Sequence, residues 1–252
     1  MVGGVQDKKI IGVIPARFNS SRLPGKPLLD IYGKPMIYWV AKRVEASILK
    51  EYYVATDDIR ILEICNDYSI PCVMTSEDCL NGTERIAEVS KNINADYYVN
   101  IQGDEPCINV EAINKLVLSI NNYQDVDYLQ AISKLTDTKK ILDHSHVKVS
   151  ISDNKKILYF SRLPIPYLRD QDSSVDFCHY RCMGLYLYHK DLLSRYVEMS
   201  PTKLENIEHI EQLRLIENNI TIYAVEVDDD GISVDTPEDI KIIREQYIKF
   251  FK

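Results

Sequence analysis

Three positive charges and no acid lie in the segment PARFNSSRLPGKP, residues 15–27. The charges belong to Arg17, Arg22 and Lys26, and the serines and glycine between them favour turns that expose backbone N–H groups. A triphosphate needs such N–H groups and fixed cations around its oxygens, since arginine supplies forked hydrogen bonds and lysine a point charge. The segment lacks the GxxxxGKS/T pattern of a Walker loop, but it directly follows the apolar run 10–14. We therefore predict that it binds an anion rather than forming a solvated turn.

Two acidic residues far apart in the chain are candidates for holding Mg²⁺. Asp104 comes after the apolar run 97–101 and Gly103, which lets the backbone turn sharply. Asp235 precedes Thr236, which with the proline after it is typical of a helix start, so Asp235 need not be the helix cap. Mg²⁺ takes one or two carboxylates together with phosphate oxygens and water, and both residues suit that role.

The two magnesium candidates have competing interpretations. An aspartate at a strand end, such as Asp104, often only caps a helix. A rival acidic cluster is formed by Asp228, Asp229 and Asp230. Three adjacent acids repel each other and cannot all converge on one ion, so we predict a solvated loop there.

Strand-like and helix-like segments alternate along the chain with short connections, which is the signature of a parallel, doubly wound sheet. Apolar runs predict strands at 10–14, 52–55, 72–74, 97–101 and 221–225. Amphipathic patterns predict helices at 35–45, 83–91 and 204–218 and from 237 onward. Such sheets bind ligands at the carboxyl ends of their strands, where the cationic segment and Asp104 both fall.

The middle of the chain is richer in strand patterns. Strands are predicted at 147–152, 157–160 and 185–188. They indicate a β-rich insertion at about 147–200 within a single domain that spans 1–252. No linker rich in proline, glycine or serine divides the chain, and 252 residues that are 45% hydrophobic can bury one large α/β core.

Charge and hydropathy exclude several classes of protein. A formal net charge of −8 argues against general nucleic-acid binding, which depends on clustered basic charge. The sequence has no run of about 18 apolar residues, and its first residues lack the apolar core of a secretion signal. We therefore expect a cytoplasmic protein with neither nucleic acid nor membrane as a partner.

Several separate segments resemble, in the same order, those of the CMP-Kdo synthetases, the 3-deoxy-manno-octulosonate (Kdo) cytidylyltransferases. The resemblance runs from about residue 10 to about residue 243. The segments are IPARFNSSRLPGKPL, GKPMI, VATDD, GTERIAEV, NIQGDEP, VKV, LYFSRLPIP, EQLRL and VDTPEDI. The resemblance implies a GT-A-like α/β nucleotidyltransferase fold with a mostly parallel central sheet and a β-rich dimerisation insertion. It also implies a homodimer.

The resemblance further implies the reaction and its residues. CTP and an acidic 3-deoxy-2-keto sugar would give the CMP-sugar and pyrophosphate, with Mg²⁺ as cofactor and lipopolysaccharide or capsule as the destination. The nucleotide site would contain Ala16, Arg17, Arg22, Lys26, Ser76 and Gln102. The magnesium ligands would be Asp104 and Asp235, which act in catalysis with Arg17 and Lys26. The sugar site would contain Arg85, Arg162, Tyr186, Glu211 and Gln212.

One departure from the family pattern concerns the sugar. Where the family typically has Arg-His-x-Gly-x-Tyr, this chain has Arg181-Cys182-Met183-Gly184-Leu185-Tyr186. A thiol is a much weaker hydrogen-bonding group than an imidazole, and loss of a polar contact can shift specificity. Cys182 is therefore predicted to help select the sugar, and Kdo, 8-amino-Kdo and other 2-keto acid sugars all fit.

Two other functions compete with cytidylyl transfer. A glycosyltransferase that uses a nucleotide-sugar donor would need an Asp-x-Asp motif at a strand end, and Gln102-Gly103-Asp104 is not one. A non-catalytic nucleotide-binding regulator would be expected to have lost Lys26 or one magnesium acid, and all are present. Release of pyrophosphate distinguishes the first function from both alternatives.

Overall fold

The computed structural model describes residues 8–19, 23–123, 126–169, 177–229 and 232–251. Within these ranges the strands are β1 (Ile10–Ala16), β2 (Asp30–Ile31), β3 (Lys34–Pro35), β4 (Tyr52–Thr56), β5 (Cys72–Met74), β6 (Tyr97–Ile101), β7 (Tyr128–Leu135), β8 (Lys148–Ile151), β9 (Ile157–Ser161), β10 (His179–His189) and β11 (Tyr223–Glu226). The helices are α1 (Met36–Glu45), α2 (Ile59–Asp67), α3 (Gly82–Asn92), α4 (Val110–Leu118), α5 (Thr138–Leu142), α6 (Lys190–Tyr196), α7 (Lys203–Glu208), α8 (Gln212–Glu217) and α9 (Pro237–Gln246). Short 3-10 helices cover Lys26–Leu28, Ser119–Asn122 and Ile248–Phe250.

The central sheet has the strand order β11-β7-β10-β6-β1-β4-β5. Its neighbours pair in parallel except where β10 runs antiparallel to both β6 and β7. The hairpin of β8 and β9 extends the sheet from β10. The mostly parallel α/β sheet predicted from the sequence is confirmed, and it directs the carboxyl ends of β1, β4, β5, β6 and β7 toward one edge.

Helices cover both faces of the sheet, which is why its strands read as continuous apolar runs. Ile14 on β1 packs with α1 and α4 on one face, whereas Ile11 and Val13 pack with α3 and α6 on the other. All three side chains are fully buried. Burying each such side chain contributes about 1.5–3 kcal/mol, so the strand that leads into the cationic segment is held firmly.

The strand β10 is longer than predicted and lies in the middle of the sheet. The sequence pattern indicated a strand at 185–188 inside an insertion, but the observed strand begins at His179 and pairs along both β6 and β7. Its pairing with β7 shifts register between Cys182 and Tyr186. Part of the segment 147–200 therefore belongs to the central sheet, because β10 supplies the antiparallel link between β6 and β7.

The single helix predicted at 204–218 was wrong. The structure has α7 and α8 instead, separated at His209, whose φ of 52° places it in the left-handed region. A residue in the left-handed conformation ends a helix. The next residue, Ile210, is buried in the core, and α8 begins two residues later. The break places Glu211 and Gln212 at the start of α8 rather than in the middle of a helix.

Other local predictions are confirmed, with small changes. Thr236 is the N-cap of α9 and forms a capping box with Asp239. The sequence offers Asp57 or Asp58 as the cap of α2, and in the structure it is Asp58 that accepts a hydrogen bond from the Arg60 N–H. The strand β7 was not assigned from the sequence. In the described ranges no helix is long and apolar enough to cross a membrane.

Candidate active site

A backbone hydrogen bond closes a loop within the cationic segment, residues 15–27. The N–H of Gly25 donates to the carbonyl of Phe18 at 2.8 Å, and Gly25 has a φ of 71°, which favours glycine. Gly25 is the N-cap of the 3-10 helix that begins at Lys26. Ala16, the buried last residue of β1, and Lys26 are therefore held at the carboxyl edge of the sheet. Arg22 lies outside the described residues.

The two predicted magnesium ligands meet at one cation. Lys26 Nζ is 2.6 Å from Asp104 Oδ2 and 3.3 Å from Asp235 Oδ1, and it also donates to the carbonyl of Val234 at 2.7 Å. The N–H of Val234 donates to the carbonyl of Asp104 at 2.9 Å, which ties the two loops together. The tertiary structure thus brings together carboxylates that are 131 positions apart in the sequence.

The donor set fits a magnesium ion. Both carboxylates lie within reach of one small cation, as their shared contact with Lys26 Nζ demonstrates. Among the residues that the structure describes, no group of three or more His, Cys, Asp or Glu side chains forms a metal cluster. Two carboxylates completed by phosphate oxygens and water is the arrangement that Mg²⁺ commonly adopts in nucleotide sites.

The loop that carries Asp235 is fixed by a neighbouring carboxylate. Asp239 Oδ2 accepts hydrogen bonds from the N–H of Asp235 at 2.9 Å and from the N–H of Thr236 at 2.7 Å. Asp239 is therefore occupied in capping, whereas the Asp235 carboxylate contacts Lys26. The capping role thus falls on Thr236 and Asp239 rather than on Asp235, as the sequence suggested, and the metal role of Asp235 stays a prediction.

The prediction of a solvated loop at 228–230 was wrong for Asp229. Its side chain is buried, and Oδ2 accepts a hydrogen bond from the N–H of Asn109 at 3.2 Å. The carbonyl of Asp228 accepts from Asn109 Nδ2 at 2.8 Å. A backbone N–H at the start of α4 thus helps to compensate the buried carboxylate of Asp229, which the argument from repulsion among adjacent acids did not predict. Asp230 lies outside the described residues.

Arg17 and Arg85 form a second cationic group, behind the ends of β1, β4 and β5. Arg17 donates to the carbonyl of Cys79, and burial, followed by the nearby Arg85, lowers the pKa of Arg17. Arg85 is fully buried on α3, where its guanidinium is 2.5 Å from Asp57 Oδ2 and also donates to Thr75. Its Nε is buried and has no hydrogen-bond partner among the residues that the structure describes.

Ser76 follows β5 at the same edge of the sheet. Its N–H donates to both carboxylate oxygens of Glu88, at 2.9 and 3.0 Å, and its hydroxyl is 3.2 Å from Asp78 Oδ2. These contacts fix the loop that follows β5. The base and ribose role expected of Ser76 stays a prediction.

A cleft of about 790 Å³ opens beside the paired aspartates, between the ends of β6 and β10 and the start of α8. Most of the predicted metal and sugar residues line it, together with Gln102 from the predicted cytosine and ribose pocket. They are Gln102, Asp104, Cys182, Tyr186, Glu211, Gln212 and Asp235. Glycine at position 184 leaves room for neighbouring side chains, since a Cβ there would lie 2.6 Å from Glu105 Oε1.

The polar groups on the sugar side of the cleft are held by hydroxyls. Gln102 Nε2 donates to the hydroxyl of Tyr186 at 3.0 Å, and Thr83 donates to Glu211 Oε2 at 2.8 Å. Gln212 Nε2 is 3.5 Å from the hydroxyl of Tyr128, at the limit of a hydrogen bond. Gln102, predicted for the cytosine and ribose pocket, thus contacts a residue predicted for the sugar.

Arg162 is bonded to backbone carbonyls outside the cleft. Its guanidinium donates to the carbonyls of Glu208 at 2.7 Å, His144 at 3.0 Å and His209 at 3.2 Å. These bonds join the end of β9 to the break between α7 and α8, and so they support the position of Glu211. Neither Arg162 nor Arg85 lines the cleft, and their direct contact with a sugar stays a prediction.

The thiol of Cys182 forms part of the cleft wall. Burial raises its pKa to about 12, so it is neutral at pH 7, and its nearest polar contact is the carbonyl of Met183 at 3.7 Å. Glu105 is a buried neighbour in the same wall, and burial raises the pKa of this carboxyl to about 8. Cys182 therefore offers the cleft a small, weakly polar surface.

The sequence analysis did not identify Thr83, Tyr128 and Tyr188. Their hydroxyls lie next to residues that line the sugar side of the cleft or next to one another. Thr83 lies within the GTER segment, so its position was visible but its contact was not. The two tyrosines come from β7 and β10, which pair only in the folded sheet, with Tyr188 opposite Tyr128 in the register.

Known proteins match the chain over nearly its full length. Residues 11–222 match the family model described as cytidylyltransferase. Over 237 residues the chain is 44% identical to the 3-deoxy-manno-octulosonate cytidylyltransferase of Lawsonia intracellularis, which covers 92% of each chain. The enzyme of the same name from Chlamydia caviae is 39% identical and covers 95% of this chain and 94% of its own.

Solved structures match as well. The structure of a CMP:2-keto-3-deoxy-manno-octonic acid synthetase complexed with CTP has a TM-score of 0.90 and 36% identity, covering 96% of this chain and 99% of that one. The inositol-1-phosphate CTP transferase from T. maritima has a TM-score of 0.66 at 14% identity, covering 94% of this chain and 96% of its own. At the lower identity the likeness concerns the fold alone.

Proposed function

The chain belongs to the cytidylyltransferase family, and we propose that it transfers the cytidylyl group of CTP to the anomeric hydroxyl of Kdo, with release of pyrophosphate. The observation that carries this proposal is the convergence of Lys26, Asp104 and Asp235 at the carboxyl edge of the sheet, beside a polar cleft. Relatives named for this reaction align with nearly the whole chain. The paired carboxylates and the cleft are the two parts that such a reaction needs.

The proposed reaction is an in-line displacement at the α-phosphate. The anomeric oxygen forms a bond to the α-phosphorus, the bond from that phosphorus to the bridging oxygen of pyrophosphate breaks, and the hydroxyl proton passes to water. Both reactants are anions, so the chain's main task is to align them and to neutralise their charge. Arg17 and Lys26 supply positive charge next to β1, and Lys26 stabilises the charge that grows on the pyrophosphate.

Magnesium is proposed as the cofactor, held by Asp104 and Asp235. When bound, it supplies positive charge to the phosphate oxygens it contacts. Lys26 would then share the two carboxylates with the ion, because its Nζ already contacts both. The carbonyl of Val234, which also accepts from Lys26, keeps the ammonium in place beside them.

The acceptor is proposed to be Kdo because the cleft offers groups that suit a polyhydroxylated sugar. The groups that line it include two amides, a tyrosine hydroxyl and a carboxylate, from Gln102, Gln212, Tyr186 and Glu211. The second candidate is 8-amino-Kdo, and the observation that favours it is the neutral thiol of Cys182 in the wall. A small, weakly polar group leaves room for an altered substituent.

A homodimer in the cytoplasm is also proposed, with the CMP-sugar destined for lipopolysaccharide. Large apolar side chains are exposed around and after β9, including Leu158 at 53%, Leu163 at 70% and Tyr167 at 85%. Such a patch favours an interface between copies of the chain. Sedimentation at micromolar concentration should give about twice the 29.1 kDa mass of one chain. A single species at the mass of one chain would contradict the dimer.

The direct test is pyrophosphate release from CTP with Kdo, with 8-amino-Kdo and with other 2-keto acid sugars. We expect release with CTP and Kdo, and a kcat/KM at least about 10²-fold lower when ATP, GTP or UTP replaces CTP, because unpaired polar groups penalise the wrong base. EDTA should stop the reaction. Absence of release with every sugar would overturn the proposed function, and equal turnover of two nucleotides would overturn CTP specificity.

A further inference from the structure

A buried chain of hydroxyl groups leads from the sheet to the carboxylate of Glu211. The hydroxyl of Tyr188, on β10, is 2.6 Å from Thr83 Oγ1, on α3. Thr83 Oγ1 in turn donates to Glu211 Oε2 at 2.8 Å. Thr83 and Tyr188 are almost fully buried, with exposures of 1% and 2%. Three elements distant in sequence therefore meet in one continuous hydrogen-bonded path that ends at the cleft.

The direction of the hydrogen bonds follows from counting protons. An ionised carboxylate only accepts, so the single proton of the Thr83 hydroxyl is used on Glu211. Tyr188 must then donate its own proton to Thr83 Oγ1. Each hydroxyl in the path donates toward the carboxylate, and such chains polarise and strengthen one another.

The path opposes the effect of burial on Glu211. Burial raises the pKa of Glu211, and the hydrogen bond from Thr83 lowers it. Of the charged groups that interact with this carboxyl, Glu205 on α7 and Glu84 on α3 also raise its pKa, whereas Arg214 on α8 lowers it. Arg17, which follows β1, also interacts favourably with this carboxylate. Arg214 is already paired with Glu205 at 2.6 Å, so Thr83 supplies the direct contact that favours the charged form.

Aromatic packing fixes the start of the path. The ring of Tyr188 makes edge contacts with Tyr128, at 4.8 Å between centroids, and with Tyr186, at 5.6 Å. The hydroxyl of Tyr186 holds Gln102, and that of Tyr128 is near Gln212. Edge-to-face arrangements are specific in geometry, so the Tyr188 hydroxyl can hardly turn away from Thr83.

We propose that Thr83 and Tyr188 are positioning residues of the acceptor site, which hold the Glu211 carboxylate charged and directed to accept hydrogen bonds from the hydroxyls of the acidic sugar. The inference rests on the proposed function, since it names what orders the sugar side of the same cleft. Neither residue touches the sugar. Both act through Glu211, which lines the cleft.

Thr83→Val removes the hydroxyl and keeps the shape of the side chain. We expect the KM for Kdo to rise about tenfold while the KM for CTP changes less than about twofold, because only the acceptor side loses a contact. The acid limb of kcat/KM for Kdo should move to higher pH, since loss of the Thr83 donor raises the pKa of Glu211. Tyr188→Phe should move both quantities in the same direction by a smaller amount, and Thr83→Ser should stay close to wild type.

The matched control is Tyr98→Phe. Tyr98 is a fully buried tyrosine on β6 whose hydroxyl bonds to Ile93 and Ala95 at 2.7 and 2.9 Å, away from Glu211. It should lose a similar amount of thermal stability to Tyr188→Phe without any change in the KM for Kdo or in the pH profile. Equal shifts in Tyr98→Phe and Tyr188→Phe would mean that the effects are structural, and would overturn the inference.

A second measurement does not depend on turnover. Infrared titration of the ligand-free protein, with the Glu211 signal assigned by difference from Glu211→Gln, should place the pKa of Glu211 higher in Thr83→Val than in wild type. An unchanged titration together with an unchanged KM for Kdo would overturn the inference while leaving the proposed function intact. Failure of the wild type to release pyrophosphate would overturn the proposed function, and the infrared result would still decide whether Thr83 controls the charge of Glu211.

Discussion

The two sides of the site solve different problems of recognition. The proposed nucleotide side, around Arg17 and Lys26, consists of charged groups at the ends of parallel strands, where Lys26 is paired with Asp104 and Asp235. The proposed acceptor side, formed by Tyr186, Glu211 and Gln212 with Gln102 bonded to Tyr186, is built around the antiparallel strand β10 and contains neutral hydroxyls, amides and one carboxylate. The first side suits a highly charged triphosphate, and the second suits a sugar whose hydroxyls must be distinguished.

The difference in chemistry explains the difference in construction. Attraction between full charges acts over several ångströms and tolerates small displacements, so short loops after strands are sufficient for it. Hydrogen bonds to hydroxyls weaken steeply with distance and angle, so the groups that make them must be held in place. The buried tyrosines and Thr83 behind the acceptor side supply that support, and the nucleotide side has ion pairs in their place.

The largest effect is expected at the boundary between the two sides. Asp104→Asn and Asp235→Asn should each lower kcat by at least about 10³-fold, because each removes one carboxylate of the proposed magnesium pair. The measurement is pyrophosphate release at limiting magnesium, with circular dichroism to show that the fold persists. The two substitutions should affect turnover of every sugar equally, because the pair belongs to neither side alone.

Asp228→Asn offers a matched control, since Asp228 is an exposed acid beyond the end of β11 whose backbone carbonyl, not its side chain, bonds to Asn109. It should leave kcat within about twofold of wild type, as expected for a surface substitution. Near-wild-type turnover in either magnesium-ligand variant would show that the ligand assignment is incorrect.

A smaller loss is expected from Lys26→Ala, on the nucleotide side. It should lower kcat by about 10²-fold and weaken CTP binding much less, because charge on the pyrophosphate grows toward the transition state. The substitution also leaves Asp104 and Asp235 without their shared counterion, so higher magnesium should partly restore turnover. Single-turnover kinetics, together with a separate measurement of CTP binding, would distinguish the effect on the chemical step from the effect on CTP affinity. A change in the KM for CTP alone would mean that Lys26 stabilises the bound substrate and the transition state equally, and would contradict this role.

The smallest and most selective effect is expected from Cys182→His, on the acceptor side. The ratio of kcat/KM for Kdo to that for 8-amino-Kdo should change about tenfold, or about 1.4 kcal/mol, because a polar ring would replace a neutral thiol in the cleft wall. The KM for CTP should not change. If both sugars shift by the same factor, Cys182 lines the cleft without selecting the substrate.

Most strands of the sheet could be predicted closely from the sequence. The runs that became β1, β4 and β6 are largely buried on both faces, so their apolar patterns were unambiguous. The helix at 204–218 was mispredicted because its apolar spacing continues across His209, and only the local backbone shows the break. The strand β7 and the true length of β10 depend on pairing across the sheet, which no local pattern reports.

The sequence by itself determined the mostly parallel α/β order and the cationic segment, and it singled out Asp104 and Asp235 as candidate magnesium ligands. Each of these depends on residue types within a short stretch of the chain. The tertiary structure alone decided that Asp104 and Asp235 meet at Lys26, that Arg85 and Arg162 are bonded within the protein, and that Tyr188 reaches Glu211 through Thr83. Those contacts join residues from 78 to 209 positions apart for Lys26, and 105 and 128 positions apart for Thr83. Contacts at such separation form only when sheet order and helix packing close the chain on itself, so local chemistry cannot specify them.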